Sequence, residues 1–65
     1  MTQYRVVWRP RGSEQWLRAR TIKDFTCYPV AKKAARNYLA KMREANTGVE
    51  VGLLFFSQNN VVPIA

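Results

Sequence analysis

The stretch that decides the fold is YRVVWR, residues 4–9, because its side chains alternate in character along the chain. Alternation with a period of two is the pattern of a β-strand that buries one face. The apolar face holds Tyr4, Val6 and Trp8, and the opposite face holds Arg5, Val7 and Arg9. The stretch therefore predicts a strand with a core face and an arginine-bearing face.

The residues that follow predict a hairpin. Residues 10–14, PRGSE, are turn formers, and Gly12 accepts positive φ. Residues 15–22 then predict a return strand in which Leu17 lies opposite Trp8. That register gives the pairs Val6–Ala19, Tyr4–Thr21, Arg9–Trp16, Val7–Arg18 and Arg5–Arg20. The hairpin is thus expected to have one apolar face and one face that is mostly arginine.

The second half of the chain predicts a helix and a third strand. Pro29 suits the first turn of a helix, which we expect to run to about Asn46 with Thr47-Gly48 as its stop. Residues 49–56, VEVGLLFF, predict strand three. Residues 57–65 are either a flexible tail or contain a short edge strand over 61–64, where Pro63 is tolerated. The core stripe of the helix is expected to be Ala31, Ala34, Ala35, Tyr38, Met42 and Ala45.

Together these elements predict one small α+β domain spanning residues 1–65, of the type ββαβ with an optional last strand. A right-handed crossover places strand three beside strand one, so the antiparallel sheet has the order 2-1-3 and the helix covers one face. The expected core is Val6, Trp8, Leu17, Tyr38, Met42, Val51, Leu53 and Phe55.

Charge is distributed unevenly along the 65 residues. The chain has 11 Lys and Arg against 4 Asp and Glu, a formal net charge of +7. Residues 1–43 hold all 11 basic residues and two acidic ones, a net +9, whereas residues 44–65 hold two acidic residues and no basic one. Such asymmetry favours an anionic partner, although net charge also serves solubility.

The residue types that enzymes and metal sites depend on are scarce. The chain has no histidine and one cysteine, Cys27, so it lacks the commonest general base and any thiolate cage for a metal. Its four carboxylates fall in four different segments, and its glycines form no phosphate-binding loop. We therefore expect a protein that is not an enzyme and that carries no cofactor and no metal.

Two basic surfaces and one apolar surface are the candidate sites. Arginine suits bidentate recognition of carboxylate or phosphate, and an exposed tryptophan suits an interface. The open sheet face is expected to present Arg5, Arg9, Trp16, Arg18 and Arg20, and the helix flank presents Lys32, Arg36 and Arg43. Leu54 and Phe56 need cover on the outer side of strand three. A homodimer through this strand, a partner, or the arginines together with the tail would supply it.

Two functions compete on this pattern. The first is docking on an acidic protein surface or a protein–nucleic-acid complex through the arginine and tryptophan face. The alternative is direct DNA or RNA binding, with phosphates on the sheet face or the helix flank and with Trp16 and Tyr28 as rings that could stack on bases. The start of the chain has no secretory h-region and the longest apolar run is Leu53–Phe56, so we expect a cytoplasmic protein without membrane association.

The element order ββαβ, with the opening MTQYRV and a tryptophan-bearing hairpin, resembles small phage-encoded accessory proteins that take over host functions. Polymerase inhibitors and anti-CRISPR proteins are examples. The resemblance implies non-enzymatic binding to a host complex in the host cytoplasm, and it assigns a role to no particular residue. The chain departs from the many members that are acidic nucleic-acid mimics, because it is basic.

Overall fold

A computed structural model describes residues 3–64. Their elements are β1 (Tyr4–Pro10), β2 (Leu17–Arg18), α1 (Tyr28–Glu44), β3 (Val49–Phe55) and β4 (Asn60–Ile64). The four strands form one antiparallel sheet in the order β2-β1-β3-β4, and α1 packs on one face. The α+β class and the order 2-1-3 are confirmed, and the last residues add the edge strand β4.

The register predicted for the hairpin is correct where the hairpin is paired. Val7 lies opposite Arg18 and Trp8 opposite Leu17. The return strand is nevertheless only two residues long, because the chain turns away once the Ala19 N–H has bonded to the Val6 carbonyl at 3.1 Å.

The predicted pairs of Tyr4 with Thr21 and of Arg5 with Arg20 are consequently wrong. Tyr4 forms a bridge with Phe25 instead, through two backbone hydrogen bonds of 2.7 and 2.8 Å. The like-charge pair of arginines is thereby avoided, which removes a repulsion from the sheet.

The helix is one residue longer than predicted at its start and ends two residues earlier. It ends because Asn46 adopts a left-handed conformation with φ of 55°. The Asn46 N–H bonds to the Arg43 carbonyl, and the Thr47 N–H bonds to the Met42 carbonyl, which is the Schellman arrangement. The stop is therefore Asn46 rather than Thr47-Gly48, although Gly48 also has positive φ.

The core lies between α1 and the two central strands. It is built from Val6, Ala19, Ala31, Ala35, Leu39, Val51 and Leu53, with Trp8, Tyr38 and Phe55 packed against it. Alanine at two consecutive turns lets the helix lie close to the sheet. The prediction was wrong for Leu17, which is 42% exposed beside the short β2, and for Ala45, which lies exposed past the helix end. It also missed Leu39, which is buried.

Candidate binding surfaces

Trp16 covers the middle of the open face of the sheet, which is the face opposite α1. An ideal Cβ at Gly52 would lie 3.1 and 3.2 Å from two ring atoms of Trp16 and 2.7 Å from Val61 Cγ1. The indole therefore rests on the backbone of β3, where a larger residue would push it away. Val7, on the same face, is only 4% exposed. Trp16 is thus packed as part of a second, smaller apolar layer.

Arg9 is enclosed between this indole and an acid. Its guanidinium carbon lies 4.3 Å from the Trp16 ring centroid, and its Nε donates a hydrogen bond to a Glu50 carboxylate oxygen. Arg9 lies opposite Glu50 in the register of β1 and β3, so the sheet itself brings the two charges together. Arg9 therefore has both a carboxylate and an aromatic partner within the chain.

Arg5 is held in a similar way. Its Nε and one terminal nitrogen donate to the two oxygens of Asp24, each at 2.9 Å, and its guanidinium lies 4.9 Å from the Phe56 ring centroid. The hydrogen bond from Arg5 lowers the pKa of Asp24, and Asp24 in turn raises the pKa of Arg5. The fork that would bind an external carboxylate or phosphate already binds an internal one.

Arg18 and Arg20 are the predicted arginines of this face that remain exposed. The Arg18 side chain is 52% exposed, and its terminal nitrogen lies 3.8 Å from Asp24, a long contact. Arg20 follows the end of β2 and lines a shallow depression with Leu17 and Tyr38. Contact of Arg18 and Arg20 with a partner stays a prediction. Arg5, Arg9 and Trp16, by contrast, are occupied by contacts within the chain.

Leu54 and Phe56 are partly covered by the chain's own residues. Leu54 is half-buried and pairs with Val61 of β4, and Phe56 lies in the turn after β3, 38% exposed beneath Arg5. This is the cover by arginine and tail that the sequence offered as one alternative. The dimer through strand three stays a prediction.

The helix flank forms a groove with the edge strand. Tyr28, Lys32 and Arg36 line a depression together with Val62, Pro63 and Ile64, and an adjoining depression contains Leu39, Arg43 and the same Pro63 and Ile64. All three predicted basic residues of the flank therefore lie along one trough between α1 and β4. We call the trough the basic groove. It comprises Tyr28, Lys32, Arg36, Arg43, Val62, Pro63 and Ile64.

Among residues 3–64, Lys32, Arg36 and Arg43 form no ion pair, and Glu50, which pairs with Arg9, also lines the depression beside Arg43. The three ion pairs within residues 3–64 join Arg5, Arg9 and Arg18 to Asp24 or Glu50, so none of them includes a residue of α1. The helix carries five basic residues and one acidic residue, Glu44, a net +4. Of the eight basic residues outside these ion pairs, five therefore lie on α1, and Arg11, Arg20 and Lys23 lie elsewhere.

Sequence reasoning named Tyr28 only as a ring that could stack on a base, and it did not assign Val62, Ile64 or Arg11 to this side of the molecule. Tyr28 lies one turn before Lys32, a spacing that would have placed it on the same flank. Val62 and Ile64 face the helix only because β4 joins the sheet beside β3, which the sequence left open. Arg11 reaches the end of the groove near Arg43 from the hairpin turn, a distant contact with no local signal.

Two further observations complete the description. Within residues 3–64, no group of three His, Cys, Asp or Glu side chains is placed to hold a metal ion, and Cys27 is exposed. In the same part of the chain, no helix is long and apolar enough to cross a membrane. Comparison of the chain with family models, curated proteins and solved structures gives no match.

Proposed function

We propose that the protein is a small non-enzymatic binding protein that docks on an acidic surface of another protein or protein–nucleic-acid complex. The observation that carries this proposal is the division of charge within residues 3–64: the arginines inside the open face form ion pairs with internal carboxylates, whereas the cations of α1 form none there. The contact surface in this proposal is the basic groove, and the exposed Arg18 and Arg20 form the competing surface with which it is compared.

The physical basis is the difference between a cation that already has an ion pair within the chain and one that has none. Moving Arg9 to an external anion would first require breaking its contacts with Glu50 and Trp16. Lys32, Arg36 and Arg43 can meet an anion without such a loss. Their shared field also attracts an acidic partner over about 10 Å at moderate salt.

The resemblance to phage accessory proteins supports the same role. It suggests a host complex as the partner and the host cytoplasm as the location. The chemistry of the site agrees with a binding role, because Asp24 and Glu50 already hold arginines and are poorly placed to act as general acid or base.

Direct nucleic-acid binding is the second candidate, and Tyr28 is the observation that favours it. Tyr28 is 39% exposed at the end of the basic groove, and Lys32 Nζ lies 5.9 Å from its ring centroid. An aromatic ring beside cations can stack on a base while the cations contact phosphates.

Matched charge reversals test the proposal. Lys32→Glu with Arg36→Glu changes the basic groove, and Arg18→Glu with Arg20→Glu changes the net charge equally at the other surface. We expect the tagged groove variant to lose partner capture from host lysate, while the second variant and the wild-type protein retain it, with or without nuclease. Thermal midpoints of both variants should stay close to that of the wild type.

The opposite pattern would assign the contact to Arg18 and Arg20. Capture that disappears after nuclease treatment would favour the nucleic-acid candidate. In that case, the affinity for a purified oligonucleotide should also fall steeply as salt is raised.

A further inference from the structure

The floor of the basic groove is aliphatic, which charge recognition alone does not require. Val62 is 43% exposed, and Pro63 and Ile64 line the trough beside it. Val62 and Ile64 lie on the helix side of β4, opposite Leu53 and Val51 of the core. Exposed aliphatic side chains framed by basic ones give a surface that offers both hydrophobic burial and charge pairing.

The outer edge of β4 is poorly suited to pairing with another strand. The Phe56 N–H donates to the Gln3 carbonyl at 3.1 Å, so alternate residues of β3 bond to β1 and those between bond to β4. In β4, the backbone N–H and C=O of Val62 consequently point toward β3. The backbone groups of Val61 and Pro63 point toward the outer edge. Proline has no N–H, so the outward edge lacks a donor where a further strand would need one.

We propose that the basic groove binds an acidic protein segment that carries aliphatic or aromatic anchor residues, and that side chains rather than strand addition hold it. This inference rests on the proposed function and specifies its partner. The carboxylates of the segment pair with Lys32, Arg36 and Arg43, and its anchors cover Val62 and Ile64.

The aliphatic floor favours a protein segment over a nucleic acid. The Val62 and Ile64 side chains offer neither a stacking surface nor a hydrogen bond to a base, and among residues 3–64 Tyr28 is the one aromatic residue lining this trough. An acidic segment with anchors uses both the charged rim and the floor. A phosphate backbone would contact Lys32, Arg36 and Arg43 but would leave the Val62 side chain exposed to solvent.

The test compares three labelled probes by fluorescence anisotropy with the complete protein. The first is a short peptide of alternating glutamate and glycine, the second has two of its glycines replaced by leucine, and the third is a single-stranded oligonucleotide of equal charge. We expect the leucine peptide to bind about tenfold more tightly than the glycine peptide, as burial of one to two aliphatic side chains allows. It should also bind more tightly than the oligonucleotide.

A substitution in the floor then separates this inference from the proposed function. Val62→Thr keeps the branched shape and the strand, and it should remove the advantage of the leucine peptide while leaving the glycine peptide unchanged. Val30→Thr is the matched control, because Val30 is 50% exposed on α1 and lies outside the basic groove. It should leave all affinities unchanged.

Each other result has a defined meaning. Equal binding of both peptides would overturn the aliphatic anchor and leave the proposed function standing. Failure of the wild-type protein to bind either peptide would contradict the proposed function as well. Tighter binding of the oligonucleotide would assign the groove to nucleic acid.

Discussion

Gly52 determines how closely Trp16 approaches the sheet. The indole and Val61 leave no room for a side chain at this position, and the backbone itself serves as the packing surface. Gly52 is buried in the middle of β3, where glycine otherwise weakens a strand. The close approach of the ring explains why glycine is needed here.

Gly52→Ala should therefore destabilise the fold by about 1–3 kcal/mol, because the new methyl group overlaps Val61 and crowds Trp16. Chemical denaturation followed by tryptophan fluorescence measures the change. Combining Gly52→Ala with Val61→Ala removes the closest overlap. The double variant should therefore lose less free energy of unfolding than the two single variants lose in sum. Additive costs would show that the two positions do not touch.

The ion pair of Arg5 and Asp24 makes stability depend on pH in a defined direction. Hydrogen bonding to Arg5 lowers the pKa of Asp24 in the folded state below its value in the unfolded chain. The pair therefore stabilises the protein at neutral pH, and this contribution is lost as pH falls from the unfolded pKa through the folded one.

Asp24→Asn should cost about 0.5–1 kcal/mol near neutral pH, the upper range for a partly exposed pair. The difference from the wild-type protein should disappear as the solution is acidified below the folded pKa. Denaturation curves over a series of pH values measure this, with the exposed Glu14→Gln as control. A difference that stays constant with pH would contradict the assignment.

At the scale of elements, the two ends of α1 are stabilised unequally. The C-terminal end has the Schellman hydrogen bonds around Asn46, and Lys41 and Arg43 lie in the last turn, where cations suit the helix dipole. The N-terminal cap is Cys27, which has the extended backbone of a cap but makes no side-chain hydrogen bond. The N-terminal end therefore leaves a donor that a better cap could bind.

Cys27→Ser should stabilise the protein by about 0.5–1 kcal/mol, since a serine hydroxyl at this position can accept the free Val30 N–H. Pro29 has no N–H, so Val30 provides the donor that the cap would reach. Thermal and chemical denaturation measure the gain, and Cys27→Ala, which removes the thiol without adding an acceptor, should show none. Equal stability of the two variants would contradict the prediction.

The elements themselves were predictable where local patterns decide them. Alternation in residues 4–9 and the alanine-rich stretch of α1 gave β1 and the helix within one or two residues at each end. The return strand was predicted too long because Gln15–Ile22 has no pattern that marks where pairing stops. The stop comes from Phe25, which occupies the edge of β1 beside Tyr4 and displaces Thr21.

At the scale of the whole molecule, the candidate site was predictable in part. The spacing of Lys32, Arg36 and Arg43 placed them on one flank, and the structure brings them to one trough. The sequence offered Glu50 as a partner for Arg5 or Arg9 but did not identify Asp24, because that pair depends on the loop after β2 folding back against β1. Long-range placement of the acids therefore decides which arginines have a carboxylate partner within the chain.

Sheet order also has a consequence for the synthesis of the chain. β1 is made early but pairs along its full length with β3, and β2 offers it only two positions. The pairing that organises the sheet thus joins distant parts of the chain, a topology that folds slowly. Residues 1–48 made alone should show no sheet by circular dichroism; a folded sheet in that fragment would contradict this. A growing chain would accordingly leave the ribosome unfolded and acquire its structure once β3 is free to pair.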